Sequence, residues 1–306
     1  MPGPLLPFVS VVVPTHDRAR RLARCLTSLC AQTYPVERYE IVVADDGSSD
    51  DTASVVERIR RETARPAVGY VRQVHRGVNA ARNLAVAHAA GDPVCFVDDD
   101  EDVPATWLAA LVDGCLRHPE AGCVGGPIRL RYDGRPPRTC GREPLGEGEL
   151  DRGDRTIAVD YVSGGNMAVR RAALAAVGPF REDLAWLGGT ELEWQDRVHA
   201  SGSRVVYVPE AWVWHVRTAA ELGLPTRLRR HFARGRGQAL NGRRIGRRFS
   251  IVRTTRELRL GLAHALRHRC VVGLVDAARA AGRLGGTAEA AVRGTPRAPA
   301  VPVTRS

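Results

Sequence analysis

Within the first hundred residues, four short apolar runs alternate with helical periods, and three of the runs stop abruptly at hydroxyl or carboxylate side chains. Phe8 to Val13, apolar but for Ser10, runs to Pro14, the pattern of a parallel strand buried on both faces. Arg18 to Ala31 follows, with Leu22, Cys25, Leu26 and Leu29 on one helical face. Tyr39 to Ala44 predicts a second buried strand. Asp51 to Glu62 predicts a helix with Val55, Val56 and Ile59 inward. Gly69 to Arg72 is a short third strand, Val78 to Ala89 an alanine-rich helix, and Val94 to Val97 a fourth strand. This βαβαβαβ order predicts an α/β fold, a Rossmann-like and mostly parallel sheet with helices on both faces. Ligands bind such sheets beyond the carboxyl ends of the strands. Here those ends read Pro14-Thr15-His16-Asp17, Asp45-Asp46-Gly47-Ser48 and Asp98-Asp99-Asp100. Acids scattered at random over a surface would not collect on one edge.

Beyond Pro104 the pattern predicts a helix to about Arg117, a strand over Gly122 to Leu130, and a long mobile loop over 133–155, rich in Gly, Pro, Arg and Glu. A strand over Ile157 to Val162 then leads into Gly164-Gly165-Asn166. Helices are expected over Arg170 to Val177 and Thr190 to Ser201, and strands over Arg204 to Val208 and Ala211 to His215. The remainder is helical and arginine-rich to about residue 292, and 293–306 reads as a disordered tail. The expected divisions are an α/β domain over 1–217 and a basic helical extension over 218–292.

The chain has 306 residues, 44% apolar and 26% charged, a balance that excludes wholesale disorder. No run of about 18 apolar residues is present, and Met1 to Ser10 lacks the basic start and cleavage site of a secretory leader, so a cytoplasmic location is expected. The seven cysteines form no CxxC pair, which argues against a disulfide framework or a zinc site. The net charge of +11 is unevenly placed: residues 226–269 hold fourteen Arg and one Glu, whereas 1–225 are net acidic. The chain has no lysine, so arginine number by itself says little about phosphate binding.

Four constellations carry chemistry. Carboxylates one residue apart, as in Asp98-Asp99-Asp100, can share a Mg²⁺ or Mn²⁺ ion that keeps positions open for phosphate oxygens; in isolation the same run is a solvated acidic helix start. Asp46, in Asp45-Asp46-Gly47-Ser48, can accept from a base or ribose, or merely belong to a helix cap. Arg82, in Arg76-Gly77-Val78-Asn79-Ala80-Ala81-Arg82-Asn83, can meet phosphate or be solvated. Glu191 and Glu193 sit two apart, about 200° around a helix, so only one of them faces a site as a general base.

Taken together, Val11-Val12-Val13-Pro14-Thr15-His16-Asp17-Arg18, Asp45 to Asp50, Ala81-Arg82-Asn83, Phe96 to Asp100, Gly164 to Arg171, and the run from Thr190 through Arg197 and Gly202 to Pro209 and His215 resemble family 2 of the nucleotide-sugar glycosyltransferases, which have the GT-A fold. The resemblance covers about residues 7–216. It implies that Pro14, Thr15, Asp17 and Asp46 hold the nucleoside, that Arg82 lies near it, and that Asp98 and Asp99 contact the donor. Asp98 and Asp100 look like the pair that binds Mg²⁺ or Mn²⁺, with His215 near the metal. Gly165 and Asn166 look like the loop beside the donor sugar and acceptor. Glu191 falls where the family has the Asp of a Glu-Asp pair, so the base stays open between Glu191 and Glu193. The implied partner is a nucleoside-diphosphate sugar and the implied reaction is a single displacement with inversion. The Gln-x-x-Arg-Trp signature of processive polysaccharide synthases is absent, so transfer should be non-processive.

Three features bear on alternatives. The departure at Glu191 leaves room for a member that binds nucleotide sugar without turnover. The segment 226–269, with Leu228, Phe232, Ile245, Phe249, Leu258 and Leu262, suits a peripheral contact with anionic lipid, an acidic acceptor, or a solvated face packed by its leucines. Nucleic acid is not expected as a partner, since this segment has only two Phe and no reading motif. A dinucleotide-dependent dehydrogenase is disfavoured because no GxGxxG follows the first strand.

Overall fold

In the computed structural model, the structure describes residues 6–136, 140, 149–184, 190–246 and 249–292. They divide into two compact units. One is built from residues up to 133, 149–182 and 191–217; the other from 134–136, 140, 183–184, 190 and the described residues from 218 onward. The expected tail at 293–306, and most of the expected loop at 133–155, lie outside the described residues.

The first unit follows the alternation read from the sequence. Strands β1 (Val9–Thr15), β2 (Tyr39–Asp45), β3 (Ala67–Arg72) and β4 (Val94–Val97) are linked by helices α1 (Ala19–Cys30), α2 (Thr52–Glu62) and α3 (Val78–His88). Then come β5 (Glu101–Asp102), α4 (Trp107–Arg117), β6 (Ala121–Gly125), β7 (Ile128–Asp133), β8 (Ile157–Ala158), β9 (Asn166–Val169), α5 (Arg171–Val177), α6 (Thr190–Ala200), β10 (Arg204–Tyr207) and β11 (Val213–Thr218). Eight strands form one sheet in the order β3-β2-β1-β4-β9-β6-β10-β8, and β5-β11-β7 form a second. Strands β1 to β4 run parallel; β9 runs antiparallel to both β4 and β6.

Why both faces are covered is visible along β1. Val9, Val11 and Val13 point into a core with Leu22, Leu26 and Leu29 of α1, Val56 of α2 and Leu108 and Leu111 of α4. Val12 points the other way, into a core with Ala81 and Ala85 of α3, Ala173 of α5 and Trp194 and Val198 of α6. Successive strand residues face opposite sides, so an unbroken apolar run needs helices on both. Each fully buried valine or leucine contributes roughly 1.5–3 kcal/mol.

Two expectations need correction. The strand over Gly122 to Leu130 is two strands in different sheets, because the chain breaks at Gly126-Pro127, where Pro127 O accepts from Val213 N (3.0 Å). The strand expected over Ile157 to Val162 is only β8; the sheet is filled instead by β9, which begins at Asn166.

The second unit contains the helices α7 (Ala219–Leu222), α8 (Leu224–Arg244), α9 (Ile251–His268) and α10 (Val271–Val292). Gly235 and Gly282 let α8 and α10 meet backbone to backbone, since a Cβ on either would collide with the Arg279 or Phe232 carbonyl. Among the described residues, no helix is long and apolar enough to cross a membrane.

Candidate functional site

The strand order places a topological switch between β1 and β4, because β2 and β3 lie to one side of β1 and β4 to the other. The carboxyl ends of those two strands carry Pro14-Thr15 and Asp98 to Asp100. Register joins them: Val12 pairs with Phe96, and three residues on Thr15 Oγ1 donates to Asp99 Oδ2 (2.8 Å).

The three aspartates have different surroundings. Asp98 is the exposed one, at 37%, and its Oδ1 accepts from Arg82 Nη2 (3.3 Å). Asp99 is buried and accepts from Arg18 Nη1 (2.9 Å). Burial, together with the neighbouring Asp100 charge and against the pull of Arg18, pushes its carboxyl up to about 6. Asp100 Oδ2 faces two guanidinium groups and an imidazole: Arg21 Nη1 (3.1 Å), Arg18 Nη1 (3.3 Å) and His215 Nε2 (3.4 Å). Burial opposes ionisation of Asp100, yet His215, Arg18 and Arg21 hold its carboxyl far below the usual range. Glu101 stands behind them. Burial, compounded by Asp98 and Asp100, pushes its carboxyl well above the ordinary range and favours the neutral acid.

His215 reaches this rim because β11 pairs with β5, setting His215 opposite Glu101. Its Nε2 is buried and makes no hydrogen bond, though it lies beside Asp100. A buried polar atom without a partner is costly. Two carboxylates and an imidazole are donors of the kind that Mn²⁺ or Mg²⁺ takes; His215 Nε2 stands 3.4 Å from Asp100 Oδ2, and Asp98 lies two residues before Asp100 on the same rim.

Arg82, on the first turns of α3, is buried, with its Nε and Nη1 making no hydrogen bond. The loop before β9 lies against it. A Cβ on Gly164 would stand 2.9 Å from Arg82 Nη2 and 3.0 Å from Glu191 Cβ; one on Gly165 would stand 2.6 Å from Asp98 Oδ2. The two glycines therefore let Arg82, Asp98 and Glu191 converge.

The other expected residues divide by what their side chains do. Glu193 is buried and gripped by Arg197, Nε to Oε1 at 3.0 Å and Nη2 to Oε2 at 3.1 Å. Arg197 also donates to the Val177 and Pro179 carbonyls beyond α5. Asn166 turns inward: its amide donates to the Pro127 and Ala211 carbonyls (3.1 and 2.7 Å), and its Oδ1 accepts from Trp107 Nε1 (2.8 Å). Its hydrogen-bonding capacity is committed to holding the loop–strand junction, so the side chain does not reach the rim. Asp46 is buried too. Its oxygens accept from Gln73 Nε2 (2.6 Å) and from the backbone N–H groups of Arg76 (2.9 Å) and Gly77 (2.7 Å). Asp17 takes a left-handed φ of 51° and accepts from the Ser49 N–H (2.6 Å), which holds its carboxyl below the ordinary range.

The sequence reading missed Arg18 and Arg21 as partners of the aspartates. Their signal was present, two arginines three apart at the start of the helix that leaves β1. It also missed His16 and His75, whose rings stack at 4.2 Å between centroids above the β1 and β3 ends.

A sheet of this order, with its carboxylates gathered at the switch, has the GT-A architecture. The chain belongs to Glycosyl transferase family 2, whose pattern matches residues 10–178. It is similar to the glycosyltransferase AglE of Haloferax volcanii, at 27% identity over 243 residues, 76% of this chain and 73% of that protein. It is similar also to the succinoglycan biosynthesis protein ExoM of Rhizobium meliloti, at 30% identity over 218 residues, 70% and 68% of the two chains. Among solved structures, the mannosyltransferase PcManGT of Pyrobaculum calidifontis, in complex with GDP-Man and Mn²⁺, shares the fold. Its TM-score is 0.60 at 20% identity, covering 96% of this chain and 77% of that one.

Proposed function

We propose that this glycosyltransferase moves a sugar from a nucleoside diphosphate to an acceptor hydroxyl in a single inverting, non-processive displacement. The observation that carries the reading is Arg82: a buried guanidinium with two unpartnered nitrogens, beside Asp98 and the Gly164–Glu191 contact. A buried cation so arranged is prepared for an anion, and a diphosphate supplies one.

Glu191 is the base in this reading, because Glu193 is committed to Arg197. Glu191 takes the proton from the acceptor O–H as the acceptor oxygen bonds to the anomeric carbon. The bond from that carbon to the diphosphate oxygen breaks on the opposite side, and its electron pair leaves with the nucleotide. Arg82 offsets the charge that develops there. Asp98, Asp100 and His215 would hold Mn²⁺ or Mg²⁺, which supplies Lewis-acid stabilisation of the leaving group when bound. The solved mannosyltransferase of the same fold holds GDP-Man and Mn²⁺, which supports a nucleotide sugar and a divalent cation. Pro14, Thr15 and Asp17, with the loop tied down by Asp46, form the nucleoside end of the donor site. Calorimetry of GDP- and UDP-sugars with and without Mn²⁺ tests donor binding; heat with neither donor under either condition removes the reading. NMR of the sugar released by slow donor hydrolysis tests inversion.

A second reading concerns α9. Ile251, Val252, Leu262 and Leu266 are exposed on one arc of this helix, with Arg259 inside the arc and Arg256 and Arg267 along one side of it. That surface suits anionic lipid at a membrane face. The apolar set differs from the one expected from sequence, since Leu228, Ile245, Phe249 and Leu258 are half-buried. Flotation with phosphatidylglycerol vesicles, lost in Leu262→Glu/Leu266→Glu, supports it; no flotation of the unaltered protein removes it.

A further inference from the structure

The corner between α9 and α10 carries a cluster of metal-ligand side chains that the transfer reaction does not use. Cys140, His264 and Cys270 each offer one ligand atom, and these atoms all lie within 4.8 Å of one another. Cys140 Sγ is 3.3 Å from His264 Nε2. Cys270 is buried and the other two are half-buried. All three belong to the second unit.

The backbone fixes the corner. Arg269 ends α9 in the left-handed conformation (φ 48°), and the Cys270 N–H donates to Ala265 O (3.3 Å). Gly261 and Gly273 allow α9 and α10 to close beside it; a Cβ on Gly261 would stand 2.8 Å from Gly273 O. His268 lies one turn after His264, their ring centroids 4.9 Å apart.

The donor set selects the metal. Two thiolates and an imidazole are borderline-soft ligands that favour Zn²⁺ over Mg²⁺ or Mn²⁺. Zn–S and Zn–N bonds of about 2.3 and 2.0 Å in a tetrahedron separate S from N by about 3.5 Å and S from S by about 3.8 Å. The observed spacing reaches those values with small side-chain movements. A thiol–imidazole hydrogen bond joins Cys140 to His264. A disulfide accounts for both cysteines but not for the imidazole between their elements. Cys140 lies 124 residues before His264, and Cys270 follows His264 by six, which is why no CxxC spacing announces them.

We propose that Cys140, His264 and Cys270, with His268 as the source of a fourth ligand, form a structural zinc site that pins Cys140 to the α9–α10 corner. Binding displaces the two thiol protons to solvent and leaves both cysteines as thiolates. The proposal is independent of the donor and base assignments above.

The test uses full-length protein purified without chelator. Elemental analysis should give about one zinc per chain, and Cys140→Ser/Cys270→Ser should give none. Cobalt-loaded protein should show thiolate-to-cobalt charge transfer and intense tetrahedral d–d bands. Both should persist in Asp98→Ala/Asp100→Ala and vanish in the double-cysteine variant. Should that variant fail to fold, an organomercurial titration of the unaltered protein decides, with zinc released as the thiols react. A chain without zinc or a cobalt–thiolate band, zinc retained after both cysteines are replaced or after mercurial titration, or a Cys140–Cys270 disulfide in anaerobically prepared protein each overturns it.

Discussion

Arg82 donates to Asp98 from Nη2 at 3.3 Å while its Nε and Nη1, equally buried, donate to nothing. The guanidinium is thus half-satisfied: Nη2 holds the Asp98 carboxylate, and the two other nitrogens keep unused donors. Arg82→Ala should weaken donor binding roughly ten- to a hundredfold, the worth of one or two charge-assisted hydrogen bonds. Arg82→Lys should recover little, because an ammonium cannot present the same fork. Calorimetric titration with nucleoside diphosphate measures both.

Glu191 and Glu193 should separate cleanly. Glu191→Gln should lower kcat by about 10²–10⁴ with donor affinity retained, as expected for loss of a general base. Glu193→Gln should instead cost about 1–3 kcal/mol of stability, since Arg197 loses its charged partner beneath α6. Its turnover per folded molecule should stay close to the unaltered level. Steady-state rates and thermal melts on the two variants are the measurement; an inactive but fully stable Glu193→Gln reverses the roles.

What the sequence made legible follows from how local each signal is. Strands β1 to β4 are apolar runs that can be buried only between two layers, and their polar ends name the rim that Thr15, Asp98, Asp99 and Asp100 form. Glu191 beside Glu193 was undecidable, because helical geometry separates the two without saying which side holds Arg197. Asn166 shows a further limit: a Gly-Gly-Asn loop invites a ligand contact, yet the amide is taken by Trp107, Pro127 and Ala211, partners 39 to 59 residues away. Strand β9 was missed because its partners β4 and β6 precede it in the chain by long intervals. The Cys140, His264 and Cys270 convergence was missed for the same reason.

A side chain at Gly165 should act on the site through the carboxyl ends it meets, not through backbone conformation. A Cβ there would meet Asp98 Oδ2 at 2.6 Å and Glu101 Oε1 at 2.9 Å. Gly165→Ala should therefore displace Asp98 and weaken Mn²⁺ binding. The strain is about 1–3 kcal/mol, divided between stability and the site. Mn²⁺ titration followed by electron paramagnetic resonance, beside a thermal melt, separates the two shares. Unchanged Mn²⁺ affinity in a folded variant removes Asp98 from the cation site.

Asp50 links the starts of two helices and gives the fold an acid-sensitive joint. Its Oδ2 accepts from the first N–H of α1, on Ala19 (2.9 Å), and its Oδ1 from the first N–H of α2, on Thr52 (3.1 Å). Slight burial opposes ionisation, but the Thr52 hydroxyl and these N–H groups hold the carboxyl below the ordinary value of 3.8. A folded pKa lower than the unfolded one means that the stabilisation is complete above the unfolded value and is lost as pH falls through the folded one. Asp50→Ala should therefore cost about 1 kcal/mol at neutral pH, the usual worth of a helix cap. The gap between the two proteins should close in acid, below the folded pKa. Urea unfolding at pH 7 and in a strongly acidic buffer measures it, and a gap that persists in acid shows that packing rather than the ionised cap is responsible.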